Sequence, residues 1–376
     1  MQSKSFFLLV FVLMMFVLNA PWAQAAEQGA VPVPMAALHN IDRLDFCGEP
    51  VPLHEPDIRE RLEKELLLSV WDRPQVILWL KRYPRYMPHI EAVLKENGLP
   101  DDFKYMAVIE SALRPHAGSR KGAIGFWQFM ADTARRYGLR VDRRIDERRN
   151  LFASTRAAAE YIKDLYDLNK SWTLSAAAYN MGEEGIEAEM LVQGVLDFYH
   201  LYLPLETQRF VFRILSAKLI LTQPEHYGFF LEDGDAYPPL RFHRVDIECF
   251  DDVPIRVIAD AAGTRFKVIK DMNPEIRGHF LVSGSHAIRI PLDAKEGFET
   301  RLALGIETYA KNQNERVYVV KEGDNLSIIA QKFQVPLQAL LIWNRIDLRE
   351  PIHPGDLLII HPRFPEPEDD AGRQKQ

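Results

Sequence analysis

The chain has 376 residues, which is long enough for two or more domains with a substantial core. Hydrophobic residues make up 47% of it and charged residues 26%, the balance of an ordinary globular protein. The formal net charge of −7 argues against a nucleic-acid partner, because nucleic-acid-binding proteins present a basic face.

The sequence pattern of residues 1–25 indicates a targeting segment rather than a part of the folded domain. Lys4 precedes an apolar run from Phe6 to Leu18, and Ala23-Gln24-Ala25 supplies a small-x-small cleavage pattern. The run is 13 residues long, whereas a membrane span needs about 20. A retained membrane anchor is the alternative. No cysteine lies near the cleavage pattern, so lipoprotein attachment is not supported, and we expect export to the periplasm or cell envelope.

Helical periodicity dominates residues 57–232, after a weakly patterned N-terminal extension at residues 26–56. Apolar side chains at Ile58, Leu62 and Leu66 recur on a charged background with the spacing of an amphipathic helix. No alternating segment typical of a strand interrupts this region. We therefore predict a mainly α protein with an all-α domain at residues 57–232.

Glu110 follows an apolar helical segment and precedes Arg114-Pro115, a pair that stops a helix. Apolar burial and the negative end of a helix dipole both disfavour a carboxylate, so both raise the pKa of a glutamate placed there. A carboxylic acid that stays protonated near neutral pH can give a proton to the leaving oxygen of a glycosidic bond. Glu110 is therefore the candidate catalytic acid, with a solvated surface glutamate as the alternative.

Three further segments follow Glu110-Ser111 in order. The first is Gly122-Ala-Ile-Gly-Phe-Trp-Gln-Phe-Met130, whose glycines let backbone lie close to a sugar chain. The second is Ala178-Tyr-Asn-Met-Gly182, and the third is Leu203-Pro-Leu-Glu-Thr207. Together these segments resemble the catalytic domain of soluble-lytic-transglycosylase-type enzymes, which share a lysozyme-like fold with goose-type lysozyme.

The resemblance implies that Glu110 acts first as acid and then as base on peptidoglycan. The bond would be the β-1,4 link between N-acetylmuramic acid and N-acetylglucosamine. The C6 hydroxyl of the muramic acid would attack, giving a 1,6-anhydro sugar, and this intramolecular step lowers the need for a second carboxylate. The substrate-binding residues implied are Ser111, Gln128, Met130, Tyr179 and Asn180.

Several of these residues have simpler alternatives. Ser111 could be a plain residue at a helix end, and Tyr179, whose hydroxyl could orient the acid, could be a buried tyrosine with a satisfied hydroxyl. Phe210 stands where the family is expected to have a tyrosine, so the ring is kept and the hydroxyl is lost. Glu206 is interpreted as a cap partner or a cleft residue, not as a catalytic group.

Residues 316–362 show a strand, two helices and a closing strand in order. This β-α-α-β pattern, with Gly323-Asp-Asn-Leu326, Trp343-Asn344 and His353-Pro-Gly-Asp-Leu357, resembles a LysM carbohydrate-binding module. The resemblance implies that two loops contact glycan, through Gly323, Asp324, Asn325, Leu326, Ile352, Pro354 and Gly355.

A weaker copy of this pattern lies upstream. At an offset of 71 residues, Asn344 falls on Asn273 and Ile359 falls on Ile288. Residues 241–295 therefore resemble a degenerate LysM-like module, with coincidental apolar spacing as the alternative. Asp252-Val253 replaces the turn that begins the binding loop, so weak or absent sugar affinity is expected. The acidic, proline-containing residues 363–376 predict a disordered tail.

The two cysteines, Cys47 and Cys249, both lie in the part that would be exported. An oxidising compartment permits a disulfide between them. Two free, buried thiols are the alternative.

The whole pattern is closest to the membrane-bound lytic murein transglycosylase D type, which joins such a catalytic domain to C-terminal LysM modules. Two alternatives stay open: a lysozyme-like muramidase that adds water at the same bond, and a catalytically silent peptidoglycan-binding scaffold. No cofactor and no metal site are predicted, because the histidines are scattered without ligand spacing. The expected partners are peptidoglycan glycan strands, with peripheral association with the cell envelope.

Overall fold

The computed structural model describes residue 38, residues 41–314 and residues 317–361. The described residues form two compact units, one containing those up to 141 together with 147–240, and the other containing 142–146 together with those from 241 onward. The predicted signal segment at 1–25 and the predicted tail at 363–376 lie outside the described residues. The finer domain boundaries stay a prediction.

The described part of the first unit is almost entirely helical, as the periodicity predicts. A short hairpin of β1 (Asp45–Phe46) and β2 (Glu49–Pro50) comes first. The α-helices that follow are α1 (Pro56–Trp71), α2 (Arg73–Glu96), α3 (Lys104–Ser111), α4 (Ala131–Arg136), α5 (Leu151–Asn169), α6 (Trp172–Met181), α7 (Glu183–Gln193) and α8 (Leu205–Thr222). The mainly α fold class is therefore confirmed.

The core of the first unit is arranged around α3, the short helix that carries Glu110. Met106, Ala107 and Val108 of this helix are at most 1% exposed. α2 and α8 pack against it. The helix α3 therefore lies in the interior of the first unit between α2 and α8, and its last turn is in a low-dielectric environment.

The helix α3 ends earlier than the sequence predicts. Its last residue is Ser111, and Ala112 and Leu113 then adopt left-handed backbone angles, with φ of 51° and 58°. The chain therefore leaves the helix before Arg114-Pro115 is reached. A left-handed residue after the last turn is a common way for a helix to end, although glycine usually occupies it.

Part of the N-terminal extension is an integral part of the first unit. The Glu49 carboxylate accepts hydrogen bonds from the backbone N–H groups of Trp172 (2.5 Å) and Thr173 (2.9 Å), the first residues of α6. A carboxylate at a helix N-terminus satisfies otherwise unpaired N–H groups and interacts favourably with the helix dipole. The hairpin thus holds in place α6, the helix that carries Tyr179 and Asn180.

The second unit contains two β-α-α-β arrangements joined by a helix. In the first, β3 (His243–Cys249) pairs antiparallel with β6 (Gly284–Ile290), and a short pair, β4 (Val253–Pro254) and β5 (Phe280–Leu281), lies between them in sequence. The helices and the strands of the second arrangement are α9 (Ile255–Ala261), α10 (Phe266–Met272), α11 (Phe298–Asn314), β7 (Val317–Val319), α12 (Leu326–Lys332), α13 (Leu337–Asn344) and β8 (Leu357–Ile359).

The two arrangements share an asparagine that joins the second helix to the closing strand. Asn344 Nδ2 donates to the Ile359 carbonyl oxygen (2.8 Å), and its Oδ1 accepts from the Ile359 N–H (2.6 Å). Asn273 makes the same pair of bonds with Arg289, at 2.8 Å each. The partner is thus Arg289 rather than Ile288, so the first module has one residue more in this loop than a constant offset allows.

Both cysteines are free thiols in the structure, which corresponds to the second of the two alternatives. Cys47 lies in the turn between β1 and β2, where its N–H donates to Asp102 (2.7 Å), and burial raises the pKa of its thiol. Cys249 ends β3 in the core of the second unit. Each thiol is thus enclosed by the packing of its own unit.

Among the described residues, no single helix is long and apolar enough to cross a membrane. The pair α12 and α13, bent by 109°, meets the length and composition criteria only when the two helices are taken together.

Candidate active site

Glu110 lies in the wall of a cavity of about 750 Å³ in the first unit. The last turn of α3 presents its side chain there, partly exposed to the cavity. The three segments that follow Glu110 in the sequence all reach the same cavity, through Gln128, Met130, Tyr179, Asn180 and Glu206. The fold therefore brings together residues that are separated by almost one hundred positions in the chain.

Burial dominates the electrostatics of Glu110. It raises the pKa of the carboxyl group to about 8; the Arg213 charge opposes this rise, and the Glu206 charge adds to it. A carboxyl group in an apolar environment holds its proton because ionisation would place a poorly solvated charge there. Glu110 is thus mainly a neutral acid at pH 7, as a general acid requires.

Tyr179 is tied to the glycine-spaced segment rather than to Glu110. Its hydroxyl donates to the Trp127 carbonyl oxygen at 2.8 Å. Burial raises the pKa of the phenol well above its usual range, and the Glu110 charge adds to this rise. The ring packs at tilted angles against Tyr161 and Phe129, with centroids 5.1 and 6.0 Å away. The sequence-based expectation that this hydroxyl orients the acid is therefore not what the structure shows.

The glycine-spaced segment forms a tight loop held by its own amide side chain and by an arginine. Gln128, with φ of 48°, donates from Nε2 to the carbonyl oxygens of Gly125 (2.8 Å) and Ala117 (3.2 Å). Arg148 Nη1 donates to the carbonyl oxygens of Gly122 (3.0 Å) and Phe129 (3.1 Å). The Gln128 side chain thus lines the cavity while it also maintains the loop.

The second and third of the segments that follow Glu110 meet through side chains. Thr207 Oγ1 donates to Asn180 Oδ1 at 2.9 Å, which ties the end of α6 to the first turn of α8. Glu206 forms an ion pair with Lys121 at 3.3 Å, across the cavity rim. Phe210 is 2% exposed and belongs to the core, so its missing hydroxyl has no effect on the cavity wall.

Ser111 is a correction to the sequence-based site. It is 2% exposed, and its hydroxyl donates to the Ala107 carbonyl oxygen (3.1 Å) inside the same helix. A hydroxyl that bonds four residues back in its own helix is satisfied locally. Ser111 is not among the residues that line the cavity. Its alternative interpretation, a plain residue at a helix end, fits the structure.

Ser119 and Glu183 line the cavity but were missed in the sequence. The Ser119 hydroxyl accepts from the Ala123 N–H (3.1 Å) within the glycine-spaced loop. Glu183 pairs with Arg136 (2.8 Å) and accepts from the Tyr161 hydroxyl (3.0 Å). Ser119 lies three residues before Gly122 and Glu183 directly follows Gly182, so both adjoin segments that the sequence singles out, and this proximity was a usable signal.

The two loops predicted to contact glycan lie side by side in the second unit. The Gly355 N–H donates to the Val320 carbonyl oxygen (2.8 Å), which brings the second loop against the start of the first. Asp324 Oδ2 accepts from the Tyr318 hydroxyl (2.7 Å) and the Lys321 N–H (2.8 Å). Asn325 caps α12 by accepting from the Ile328 N–H (2.9 Å).

Among the seven residues assigned to these loops, Leu326 needs correction. It is 8% exposed and belongs to the small hydrophobic core of the module. Its side chain is therefore used in packing. In the described part of the chain, no group of three or more histidine, cysteine or acidic side chains is arranged to hold a metal ion.

Comparison with known protein families gives two matches. The model of the transglycosylase SLT domain matches residues 87–194, which contain Glu110, the glycine-spaced segment and the Tyr179 segment. The model of the LysM domain matches residues 318–361.

Three relatives are informative. Membrane-bound lytic murein transglycosylase D of Escherichia coli (strain K12) is 30% identical over 332 residues, which cover 84% of this chain and 72% of that protein. The protein of the same name from Escherichia coli O6:H1 gives the same values. A putative tributyltin chloride resistance protein of Alteromonas sp. (strain M-1) is 31% identical over 110 residues, which cover 28% of this chain and 53% of that protein.

A solved structure, an inactive mutant of the lytic transglycosylase Slt from Pseudomonas aeruginosa, is 20% identical to the chain. The match covers 38% of this chain and 24% of that one, with a TM-score of 0.29, which is too low to bear on the fold. The identity to the two Escherichia coli proteins extends over most of both chains. By this criterion the chain belongs to the family of membrane-bound lytic murein transglycosylase D.

Proposed function

We propose that the lytic transglycosylase activity of this chain depends on Glu110 as its single acid and base. The bond cleaved is the β-1,4 link between N-acetylmuramic acid and N-acetylglucosamine in peptidoglycan. The observation that carries the proposal is that Glu110 lines a cavity of the first unit with a pKa raised to about 8. One buried carboxyl group with that pKa can serve as acid and, after giving up its proton, as base.

The reaction balances with Glu110 alone. Glu110 gives its proton to the glycosidic oxygen, the bond from C1 of the muramic acid to that oxygen breaks, and N-acetylglucosamine leaves with a free 4-hydroxyl. The Glu110 carboxylate then takes the proton of the C6 hydroxyl, whose oxygen forms a bond to C1. The product is a 1,6-anhydro ring, Glu110 is protonated again, and no water is consumed.

The main competing function is hydrolysis at the same bond. Three more carboxyl groups, those of Glu183, Glu184 and Glu206, line the cavity, and Glu206 acts on Glu110 through its charge. A hydrolase would need one of them to activate water. Two of the three are engaged with cations, Glu183 with Arg136 (2.8 Å) and Glu206 with Lys121 (3.3 Å). This engagement favours a structural role for them.

Mass spectrometry of the soluble products from purified peptidoglycan tests the proposal, with Glu110→Gln and Glu206→Gln beside the unaltered protein. Muropeptides one water lighter than hydrolysis products are expected from the unaltered protein and from Glu206→Gln, and none from Glu110→Gln. Full-mass reducing products, lost in Glu206→Gln, would instead identify a muramidase. No products from any of the three proteins would favour the binding scaffold.

The second unit is proposed to keep the enzyme on its substrate. Residues 318–361 would bind N-acetylglucosamine units through the exposed and backbone groups of the loops around Gly323 and Gly355. Residues 241–295 would serve as a spacer with little sugar affinity, since Asp252 accepts from the Ser283 N–H (2.8 Å) and pairs with Arg345 (2.8 Å) where a binding loop would begin. With the signal segment predicted at residues 1–25, the site of action would be the cell envelope.

A further inference from the structure

The end of the helix that carries Glu110 is held by three arginine side chains from different parts of the first unit. Arg213 of α8 donates from Nη2 to the Ile109 carbonyl oxygen (3.1 Å). Arg114, just after the helix, donates from Nε to the Ser111 carbonyl oxygen (3.1 Å). Arg82 of α2 donates from Nη1 to the Ala112 carbonyl oxygen (2.9 Å).

Two of these carbonyl groups, those of Ile109 and Ser111, lie in the last turn of α3, and that of Ala112 follows directly after it. The last four carbonyl oxygens of an α-helix have no N–H group of the same helix to accept from, and together they carry a partial negative charge. Guanidinium groups satisfy them with charge-assisted hydrogen bonds, which are stronger than neutral ones. The three arginines therefore fix the last turn of α3, the turn from which Glu110 projects.

Arg213 differs from the other two because its charge also acts on the Glu110 carboxyl group and opposes the effect of burial. The other groups that interact electrostatically with Glu110 are Glu206, also on α8, and Tyr179, on α6. Arg82 and Arg114 instead act on each other. Arg82 is thus a natural control, because it makes the same kind of bond at the same helix end.

We propose that Arg213 is a positioning residue for the reaction, holding the last turn of the helix that carries Glu110 through the Ile109 carbonyl while its positive charge acts on the Glu110 carboxyl group. The inference rests on the proposed role of Glu110. Burial keeps the acid protonated before the first step, and the carboxylate left after that step is stabilised by Arg213. Glu110 can then act first as the acid and afterwards as the base, because neither its protonated form nor its ionised form is strongly favoured over the other.

The test compares Arg213→Gln with Arg82→Gln. Initial rates of muropeptide release at limiting substrate are measured from pH 5 to 10, and thermal unfolding confirms that both variants fold. Loss of the positive charge of Arg213 should raise the pKa of Glu110. The high-pH limb of the rate profile, where the rate declines as Glu110 loses its proton, should therefore move to higher pH by about one unit in Arg213→Gln. The limb of the Arg82→Gln profile should stay where it is in the unaltered protein.

A conservative variant separates charge from packing. Arg213→Lys keeps the positive charge but loses the planar fork, so its high-pH limb should return towards that of the unaltered protein. The inference would be overturned if the high-pH limb of Arg213→Gln stayed where it is in the unaltered protein and its rate fell as much as that of Arg82→Gln at every pH. Arg213 would then have only a structural role. If Arg213→Gln does not fold, Arg213→Met takes its place, and the high-pH limb of its rate profile is compared with that of Arg213→Lys.

The proposed function is checked separately in the same assay. Glu110→Gln should have no activity at any pH. If it kept activity, the role of Glu110 would be wrong, whatever the behaviour of the Arg213 variants. If it had none and the limbs did not move, only the role of Arg213 would be wrong.

Discussion

The Tyr179 hydroxyl donates its hydrogen bond to the carbonyl oxygen of Trp127, at 2.8 Å, and so joins α6 to the glycine-spaced loop. Trp127 is itself fixed, because its indole N–H donates to Thr155 Oγ1 (3.0 Å) and its ring is fully buried. The next residue is Gln128, whose positive φ turns its side chain back onto the loop. Tyr179 therefore helps to maintain the part of the cavity wall that this loop forms.

Replacing Tyr179 by phenylalanine tests this role. Tyr179→Phe removes one hydrogen bond to a backbone carbonyl and should lower the free energy of unfolding by about 0.5–1.5 kcal/mol, measured by urea denaturation. Muropeptide release should fall with it, since the loop is less well held. The control is Tyr161→Phe, which loses a bond to Glu183 but leaves Trp127 unaffected. Unchanged stability together with a complete loss of activity would mean that the hydroxyl acts on the substrate or on Glu110.

The raised pKa of Glu110 predicts that Glu110→Gln is more stable than the unaltered protein at alkaline pH. Since folding raises this pKa from 4.5 to about 8, the free energy of unfolding falls as pH rises through that window. Glu110→Gln does not lose stability in this way, because its side chain does not titrate. Because the side chain keeps some exposure to the cavity, we expect Glu110→Gln to be more stable by about 1–3 kcal/mol at pH 8. The difference should vanish near pH 4.

Denaturation at both pH values isolates this effect. Every other titrating group is common to the two proteins, so the pH dependence of their difference belongs to Glu110 and its surroundings. A difference that is the same at pH 4 and pH 8 would mean that the pKa is not raised. The same raised pKa predicts that the rate of muropeptide release declines as pH rises through about 8.

The fold and the candidate acid Glu110 could be predicted because their signals lie in short segments of the sequence. Apolar residues at helical spacing produced helices, and the β-α-α-β order of the C-terminal region is present in the structure. Glu110 is singled out by its apolar neighbours and by the flanking segments that resemble the family's motifs. Each of these signals can be read from the sequence alone, so no knowledge of tertiary contacts is needed.

The errors in the site come from side-chain direction and from long-range contacts. Ser111 follows Glu110 directly, but successive residues in a helix point about 100° apart, so one faces the cavity and the other the core. Arg213 reaches the catalytic helix from 104 positions away. Such a contact depends on how α8 packs on α3, and the spacing of residues in α8 does not reveal it.

Two glycines of the same loop should respond differently to alanine. A Cβ at Gly125 would lie 1.8 Å from the Arg148 carbonyl oxygen, whereas a Cβ at Gly122 would meet nothing within 4 Å. Both have positive φ, 86° and 92°, so both substitutions strain the backbone. Gly122→Ala should cost about 1–2 kcal/mol in the free energy of unfolding. Gly125→Ala must also displace backbone and should cost more than about 4 kcal/mol.

Thermal unfolding of the two variants decides this point. A larger loss in Gly122→Ala than in Gly125→Ala would show that the loop does not approach Arg148 as closely as the structure has it. If both variants unfold at the same temperature, the loss of stability comes from the positive φ alone, and the close approach of Gly125 to the Arg148 carbonyl oxygen adds nothing to it.

Deleting residues 315–376 should separate anchoring from catalysis. The cavity with Glu110 is lined only by residues of the first unit, so cleavage of short soluble glycan strands should be nearly unchanged. Co-sedimentation with insoluble peptidoglycan should weaken by at least about tenfold, or about 1.4 kcal/mol of binding free energy. Glu110→Gln, which keeps both loops, is the control for binding without cleavage. Unchanged sedimentation would show that the LysM domain is not the anchor, and loss of cleavage on soluble strands would show that the first unit depends on it for folding.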